Sequence, residues 1–265
     1  MSSYWVRIST YNQDLLKGLH NIPDFIGFQS CTDLGHFILK FMGDDVEKTL
    51  KSLEEFHKDV EILEVGTGSF AHEPILKSFS AKLSICTPGY REKDALVIDT
   101  SSSFGSGLHP TTELCIRLLE HLIEMEGNKI KDVFDLGTGS GILALCALKL
   151  GAQRVLASDI LMAACKDAHL NVKLNGYESK ILVVQDSYHV AKNEYFDLVF
   201  ANLLKATLEK VIPEIPFLLK PRAFFIFSGV TTGQMDSFLS KIAVFETVKV
   251  LRCLDWAAAL LRKLE

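Results

Sequence analysis

The sequence predicts an α/β protein in which a large Rossmann-like domain follows a small α+β domain of ferredoxin-like order. From about residue 95 onward, apolar runs typical of strands alternate with helical patterns, which indicates a parallel sheet covered by helices. A glycine cluster at 137–141 separates the first long strand from an apolar helix. The first 66 residues show a different order of elements. We therefore predict one domain over 1–66, a linker over 67–94 and a second domain over 95–265.

The N-terminal domain is predicted to contain six elements. Strands are expected at 5–8, 25–31, 36–41 and 60–65, and helices at 14–20 and 46–56. Asp44 or Asp45 can cap the second helix, in which apolar residues recur at helical spacing from Val46 onward. The order strand, helix, strand, strand, helix, strand is that of the split βαβ, or ferredoxin-like, arrangement.

The predicted linker over 67–94 contains several glycines and prolines and one strand-like stretch at 82–86. A second glycine motif lies at its start, where residues 64–70 imitate acid-x-G-x-G-x-G. Phe70 replaces the third glycine, and no apolar helix follows it. We therefore do not expect a second nucleotide site there.

Seven strands are expected in the C-terminal domain. The candidates lie at 132–136, 154–159, 181–185, 196–201, 223–227, 243–251 and 255–261. Because these runs are almost continuously apolar, we expect a parallel sheet with helices on both faces. Four strands end in polar residues, namely Asp135, Asp159, Asp186 and Asn202. The carboxyl ends of parallel strands share one edge of the sheet, where open α/β folds bind ligands, so these side chains should gather there.

The glycine cluster follows the pattern D-x-G-x-G-x-G from Asp135 to Gly141. Alternating glycines let the backbone turn sharply and let a ligand approach closely, and a helix begins with unsatisfied N–H groups. A dehydrogenase would carry G-x-G-x-x-G for a pyrophosphate, but Ile142 occupies the place of its last glycine. With Asp159 ending the next strand, the segment resembles class I S-adenosylmethionine-dependent methyltransferases.

The nucleoside part of S-adenosylmethionine makes two chemical demands. Its ribose diol needs a carboxylate acceptor, and Asp159 stands where one should be. Its adenine needs an apolar slot and a polar contact at the ring edge, for which Ile160 and Asp186 are the candidates. Capping of the next helix is the structural alternative for Asp186.

The amino-acid end of the same cofactor carries an ammonium and a carboxylate. It needs backbone N–H groups, which we expect along the loop from Gly137 through Gly139 to Gly141, and an acceptor such as Asp135 or a strand-end carbonyl. Helix capping is again the structural alternative for Asp135.

The composition favours a cytoplasmic protein without metal or membrane segment. No apolar run reaches the roughly 18–20 residues of a membrane span, and the first residues lack the apolar core of a signal peptide. The six cysteines include no C-x-x-C pair, so we expect buried thiols in a reducing compartment rather than disulfides or a zinc site. The net charge of −5, without a Lys/Arg cluster, argues against stable nucleic-acid binding.

Several motifs together carry a more specific resemblance. F-G-S-G-x-H-P-T-T lies at 104–112, and the glycine loop continues as G-I-L-A-L-x-A-L-K-L-G-A. A-N-L-L, S-G-V and a closing R-x-x-x-W follow at 201–204, 228–230 and 252–256. This set is similar to the bacterial PrmA family, whose members are methyltransferases of the large-subunit ribosomal protein L11. The match covers roughly residues 75–262.

The resemblance implies cofactor contacts at Thr112, Gly137, Asp159 and Asn202, and a small N-terminal domain that holds the substrate protein. It also implies that a large-subunit ribosomal protein is methylated on lysine side chains, with its N-terminal amine as a further candidate. The family reads D-P-G-x-A where this sequence reads D-T-S-S-S at 99–103, and the N-terminal domain matches by pattern only. We expect a monomer.

Asn202 is the candidate catalytic residue, because its side-chain oxygen can accept a hydrogen bond from the target amine. Many amino-methyltransferases carry Asn/Asp-Pro-Pro-Tyr/Phe at this place, but Leu203 and Leu204 replace the prolines here, and a planar base would lose its stacking partner. A lysine amine has a pKa of about 10.4 and must first lose a proton. We expect His109 to be structural, with proximity and desolvation rather than a dedicated base promoting the reaction.

Three alternatives to this interpretation stay open. The same scaffold can act on a lysine of another protein. A nicotinamide oxidoreductase is disfavoured by Ile142. An assembly factor that binds S-adenosylmethionine without catalysis would carry the same cofactor motifs.

Overall fold

The computed structural model describes residues 3–9, 22, 25–30, 36–42, 45–56, 61–67, 76–80, 83–88, 94–99 and 109–265. The chain divides into two compact units, Met1–Ile75 and Leu76–Glu265. This boundary falls inside the segment 67–94 that the sequence predicts as a linker. The two units are described separately.

The first unit contains a four-stranded antiparallel sheet and a helix. Its elements are β1 (Ser3–Ser9), β2 (Phe25–Ser30), β3 (His36–Met42), α1 (Val46–Phe56) and β4 (Glu61–Thr67). The strand order β2-β3-β1-β4, with all neighbours antiparallel, is the order that a ferredoxin-like arrangement requires. The predicted helix at 14–20 lies outside the described residues, so the complete arrangement stays a prediction.

Period-two and helical patterns build the core of the first unit. Val6 and Ile8 of β1 and Leu39 and Phe41 of β3 are buried, as expected where alternate strand residues share one face. Leu53 of α1 is also buried. Asp45 Oδ1 accepts a hydrogen bond from Lys48 N at 3.0 Å, so Asp45 rather than Asp44 begins the helix as its cap. The imitation motif at 64–70 begins within β4, which pairs with β1.

The second unit begins with a small sheet where a linker was predicted. Its strands β5 (Leu76–Ser80), β6 (Leu83–Cys86) and β7 (Leu96–Val97) lie in the order β5-β6-β7. Leu83, Ile85 and Leu96 are buried in the same core cluster as the large sheet. The predicted linker is therefore too long, because apolar residues after Ile75 gain more from joining this core than from exposure to water.

The large sheet has seven strands in the order β10-β9-β8-β11-β12-β14-β13. They are β8 (Asp132–Leu136), β9 (Arg154–Asp159), β10 (Ile181–Gln185), β11 (Phe196–Asn202), β12 (Leu219–Thr231), β13 (Phe245–Cys253) and β14 (Trp256–Lys263). The first five pair in parallel, but β14 is antiparallel to both of its neighbours, which corrects the prediction of a parallel sheet. Only two residues separate β13 from β14, and so short a turn can join only antiparallel strands.

Helices cover both faces of the sheet, as predicted. They are α2 (Pro110–Glu126), α3 (Ile142–Lys149), α4 (Met162–Leu174), α5 (Lys205–Val211), α6 (Ile215–Leu218) and α7 (Thr232–Leu239). Val133 of β8 belongs to one buried cluster, whereas its neighbour Phe134 belongs to a second one, so alternate residues of the strand serve two cores. No helix in the described part of the chain is long and apolar enough to cross a membrane.

Candidate functional site

The glycine loop between β8 and α3 is fixed by hydrogen bonds to the neighbouring strand. Gly137 N and Thr138 N donate to Ser158 O at 2.8 and 2.9 Å, and Gly139 N donates to Asp159 Oδ2 at 3.1 Å. Gly137 has a φ of +74°, and a Cβ atom there would overlap the Leu203 side chain. The loop therefore depends on glycine at this position both for its backbone conformation and for the close approach of β11.

This loop forms one wall of a cavity of about 730 Å³ at the carboxyl ends of the parallel strands. The predicted site residues that line it are Gly137, Gly139, Asp159, Asp186 and Asn202. The cavity volume lies within the usual range for pockets that take small molecules. The structure thus brings together the strand-end residues that the sequence placed at one edge, with the exception of Asp135.

Asp159 ends β9 and presents its carboxylate at the cavity. Oδ2 accepts the hydrogen bond from Gly139 N, and Oδ1 accepts one from Leu161 N at 2.9 Å. A carboxylate has about four acceptor positions, so these two bonds leave capacity for two further donors. A pair of vicinal hydroxyls is a ligand group that such an acceptor can bind.

Asp186 and Ile160 lie on the same side of the cavity. Asp186 Oδ1 accepts a hydrogen bond from Ser187 N at 2.6 Å and lies 3.5 Å from His189 Nδ1. Ile160 is apolar and 66% exposed, so its side chain is accessible to a ligand in the cavity. An apolar surface beside a carboxylate suits adenine, the flat and partly polar ring that we predict binds next to Ile160 and Asp186.

Asp135 lies beneath the glycine loop and not among the residues that line the cavity. Its side chain is buried, and Oδ2 accepts hydrogen bonds from Thr138 Oγ1 at 2.6 Å and from Ala144 N at 3.2 Å. Burial raises the pKa of this carboxyl to about 6, the two hydrogen bonds lower it, and the charge of Asp159 raises it. These contacts favour the capping alternative, because Ala144 N belongs to the first turn of α3.

Asn202 ends β11, and its amide is oriented by a threonine of α2. Asn202 Nδ2 donates to Thr112 Oγ1 at 3.3 Å, and Thr112 is buried behind the cavity wall. No hydrogen bond within the described residues engages the Asn202 amide oxygen. That oxygen is therefore available as an acceptor for a donor inside the cavity.

His109 lines the cavity and also begins α2. Its Nδ1 lies 2.8 Å from Thr111 Oγ1 and accepts a longer hydrogen bond from Thr111 N at 3.4 Å. Its ring meets Trp256 edge to face, with centroids 5.3 Å apart. Burial lowers the pKa of His109, which favours the neutral form of the ring. The contacts agree with the structural role predicted for this histidine.

Comparison with known proteins decides the family of the chain. The family model described as "Ribosomal protein L11 methyltransferase (PrmA)" matches residues 72–264. The chain belongs to the PrmA family. This confirms the resemblance found in the motifs, and with it S-adenosylmethionine as the predicted cofactor.

Two curated relatives and two solved structures illustrate the match. A ribosomal protein L11 methyltransferase of Caldicellulosiruptor saccharolyticus is 33% identical over 212 residues, which cover 79% of this chain and 64% of that protein. One from Bacillus cereus strain Q1 is 37% identical over 179 residues, covering 66% of this chain and 56% of that protein. The chain thus spans less than two thirds of the length of these relatives.

The crystal structure of ribosomal protein L11 methylase from Lactobacillus delbrueckii subsp. bulgaricus has a TM-score of 0.63 and 30% identity. It covers 72% of this chain and 99% of that one. The tRNA (m1A58) methyltransferase TrmI from Aquifex aeolicus has a TM-score of 0.52 at 16% identity, covers 63% of this chain and 73% of that one, and shows the fold alone. The Rossmann-like methyltransferase fold predicted from the sequence is confirmed.

Several cavity residues of this PrmA-family chain have only weak signals in the sequence. A Cβ atom at Gly229, whose φ is +96°, would overlap the backbone carbonyl of Leu203, so the S-G-V motif marks a close approach of β12 to the β11 loop. Trp256 was visible as the end of R-x-x-x-W, but its contact with His109 depends on the hairpin of β13 and β14. Leu204 is 75% exposed at the cavity, and the sequence predicted it only as a replacement for proline.

The residues present fit S-adenosylmethionine. The amides of Gly137 and Gly139 donate to Ser158 O and Asp159 in this structure, and the contact of the loop 137–141 with the amino-acid carboxylate stays a prediction. What Gly137 offers is the absence of a side chain. Asp159 and Ile160 retain the acceptor and the apolar surface that the nucleoside requires.

Proposed function

We propose that the chain is an S-adenosylmethionine-dependent protein methyltransferase that methylates amino groups of a large-subunit ribosomal protein. Lysine side chains are the proposed acceptors, and the N-terminal amine is a further candidate. The observation that carries the proposal is a single cavity, in a PrmA-family chain, that joins the glycine loop and Asp159 to the acceptor oxygen of Asn202.

The cofactor side of the cavity is held by groups of this chain that are already ordered. When bound, S-adenosylmethionine supplies a methyl group on a sulfonium. Asp159 would accept the ribose hydroxyls, and its existing bonds to Gly139 N and Leu161 N hold the carboxylate in place for that contact. Ile160 and Leu161 would cover the apolar parts, since both side chains line the cavity and are more than half exposed.

The acceptor side of the cavity centres on Asn202. Its amide oxygen would accept a hydrogen bond from the target amine, while Thr112 holds the other end of the amide. This contact aligns the amine lone pair, which is the positioning role that raises the rate of a bimolecular step. His109 Nδ1 is already engaged by Thr111, so we assign no general base to it and let water take the proton.

The first unit is proposed to recognise the protein substrate. All the cofactor motifs, and every described residue that lines the cavity, belong to the second unit, so we assign the sheet of β1 to β4 to the substrate and not to the cofactor. A separate recognition unit would raise the local concentration of the lysine-bearing segment near the cavity.

A methyl-transfer assay tests the proposal. Purified ribosomal protein L11 from undermethylated cells is incubated with the chain and radiolabelled S-adenosylmethionine, and mass spectrometry then locates the modified amines. Transfer to lysine is expected, with a loss of at least about tenfold in kcat for Asn202→Ala. Asn193→Ala, an exposed asparagine away from the cavity, is the matched control and should transfer at the normal rate.

The same assay separates the alternatives. Cofactor binding without transfer to any protein would leave a non-catalytic assembly factor as the explanation. Transfer to a lysine of another protein in a lysate, with L11 unmodified, would keep the reaction and reject the substrate. If Asn202→Ala weakens only cofactor affinity, then Asn202 is a ligand contact and its catalytic role is wrong.

A further inference from the structure

One face of α4 connects the glycine loop to the strand segment at 97–99. This face carries Ala164, Ala168 and Asn171, and the C-cap residue Asn175 continues it, at spacings of four, three and four residues. Ala168 is completely buried, and a Cβ atom at Gly141 would stand 3.3 Å from it. The helix therefore lies directly against the end of the loop that forms the cavity wall.

Asn171 is completely buried and makes three side-chain hydrogen bonds. Its Oδ1 accepts from Asp99 N at 2.7 Å, and its Nδ2 donates to Asp99 O and to Ser140 O, each at 2.9 Å. Every polar atom of the amide is satisfied, which is what a buried amide requires for stability. One side chain thus joins the backbone of the glycine loop to the backbone of Asp99.

Asn175 makes the matching contacts one turn later, but it does not reach the loop. Its Oδ1 accepts from Val97 N at 2.9 Å, and its Nδ2 donates to Val97 O and to Asn171 O, each at 2.7 Å. The two asparagines therefore hold residues 97 and 99 in the same way. Only Asn171 adds a hydrogen bond to Ser140.

We propose that Asn171 is a positioning residue that couples the cofactor-binding glycine loop to the segment at 97–99. Ser140 follows Gly139, whose N–H is held by Asp159, so the bond to Ser140 O fixes the peptide between Ser140 and Gly141 in the same loop. Asp99 stands ten residues before His109, which lines the cavity. Binding of the cofactor against the loop should therefore also stabilise residue 99, and by thermodynamic linkage the reverse holds. This inference rests on the proposed binding of S-adenosylmethionine.

The chemistry of the contact explains why asparagine is needed. Aspartate at this position would place a charge and two acceptors opposite two carbonyl oxygens. Alanine would leave the N–H and C=O of Asp99 and the C=O of Ser140 to find other partners inside the protein. Neither residue can donate to the loop and accept from residue 99 at the same time.

The test compares Asn171→Ala with Asn175→Ala by calorimetric titration with S-adenosylhomocysteine, alongside thermal melts. Both variants lose paired hydrogen bonds to the 97–99 segment, so both should lower Tm. Only Asn171→Ala should raise the Kd, by at least tenfold. An equal rise in the two variants, or an unchanged Kd in folded Asn171→Ala, would overturn the coupling.

Hydrogen exchange on the unmodified chain supplies a second test that needs no variant to fold. Saturating S-adenosylhomocysteine should slow exchange of the Asp99 amide, bonded to Asn171, at least threefold more than that of the Val97 amide, bonded to Asn175. Equal effects on the two amides would contradict the proposal. Failure of the unmodified chain to bind the ligand at all would instead reject the proposed function.

Discussion

Asp135 and Asp159 lie at the carboxyl ends of neighbouring strands, as the last residue but one of β8 and the last residue of β9, yet their carboxylates have different surroundings. Asp159 lines the cavity and is held by two backbone amides. Asp135 is enclosed beneath the loop and is held by Thr138 and Ala144. The first carboxylate is therefore placed to bind a ligand, whereas the second is placed to shape the loop that binds it.

Asp159→Ala is expected to weaken cofactor binding while the protein stays folded. Loss of a charge-assisted acceptor costs about 1.5–3 kcal/mol, which corresponds to a roughly tenfold to hundredfold rise in Kd. Calorimetric titration with S-adenosylmethionine measures the Kd of the variant and of the unmodified chain. Asp236→Ala, which removes a carboxylate that is 84% exposed on α7, is the control. An unchanged Kd in folded Asp159→Ala would reject the assignment of the ribose acceptor.

Asp135 should make stability fall as the pH rises from about 4 to about 6. Its pKa is raised to about 6 in the folded chain, above the ordinary value of about 3.9. Between these values the native state binds a proton more tightly than the unfolded state does. The stability that Asp135 contributes is therefore fully present below the unfolded pKa, and it is lost as the pH rises through the folded pKa. The change is on the order of 2–3 kcal/mol.

Asp135→Asn isolates this contribution. Both hydrogen bonds go to Oδ2, so an amide oxygen in that place can keep them while the titration disappears. Urea unfolding at several pH values should show a smaller fall in stability for Asp135→Asn than for the unmodified chain between pH 4 and 6. Parallel pH profiles for the two proteins would show that Asp135 titrates normally.

The sequence predicted which polar residues reach the site better than it predicted what each one does. Asp159, Asp186 and Asn202 could be placed because parallel strands end at one edge. The same rule could not show that Asp135 lies beneath the loop, because it says nothing about the direction of a side chain relative to the loop above it. The contact of His109 with Trp256 joins residues far apart in sequence, which no local pattern reveals.

At the scale of the element, a side chain at the first position of the glycine loop should disturb the loop. Gly137→Ala would place a Cβ atom on the Leu203 side chain at a φ of +74°, so Leu203 must move, and we expect weaker cofactor binding and a lower Tm. Gly176→Ala is the matched control, because its φ is +70° and nothing lies within 4 Å of the added atom. It should show the backbone strain alone, about 1 kcal/mol, with normal cofactor affinity.

If the two alanine variants lose equal stability and both keep cofactor binding, then contact with Leu203 does not limit the loop. Thermal melts and calorimetric titrations on the same samples decide this.

The strands of the large sheet were largely predictable from the sequence, whereas the residues at which they end and the antiparallel direction of β14 were not. Its strands could be located from apolar runs, because strands that are buried on both faces contain few polar residues. The reversal of β14 depends on a two-residue turn, in which Leu254 has a φ of +55°. Leucine gives no turn signal, so the sequence showed two strands without showing that they form a hairpin.

At the scale of the whole molecule, the two units should divide recognition from cofactor binding. A truncated chain that begins at Leu76, the start of the second unit, is expected to bind S-adenosylmethionine with near-normal affinity. It should methylate the ribosomal protein far less well, because the contacts that concentrate the substrate are lost. Calorimetry and the radiolabel assay measure the two properties separately, with circular dichroism as the control for folding.

Two results would contradict this division. Loss of cofactor binding in a folded truncated chain would mean that the first unit contributes to that site. Full methyl transfer by the truncated chain would mean that the first unit serves another partner.

The position of β10 at the end of the large sheet also affects how the protein behaves in a test tube. Among the described strands it has a neighbour on one side only, its five residues carry no charge, and Leu182 is 63% exposed. An apolar edge strand presents unpaired backbone N–H and C=O groups, with which a strand from a second copy of the chain can pair. Turbidity during warming or concentration should therefore start here, and Leu182→Lys should delay it without altering cofactor affinity. Unchanged light scattering from that variant would place the source of precipitation elsewhere.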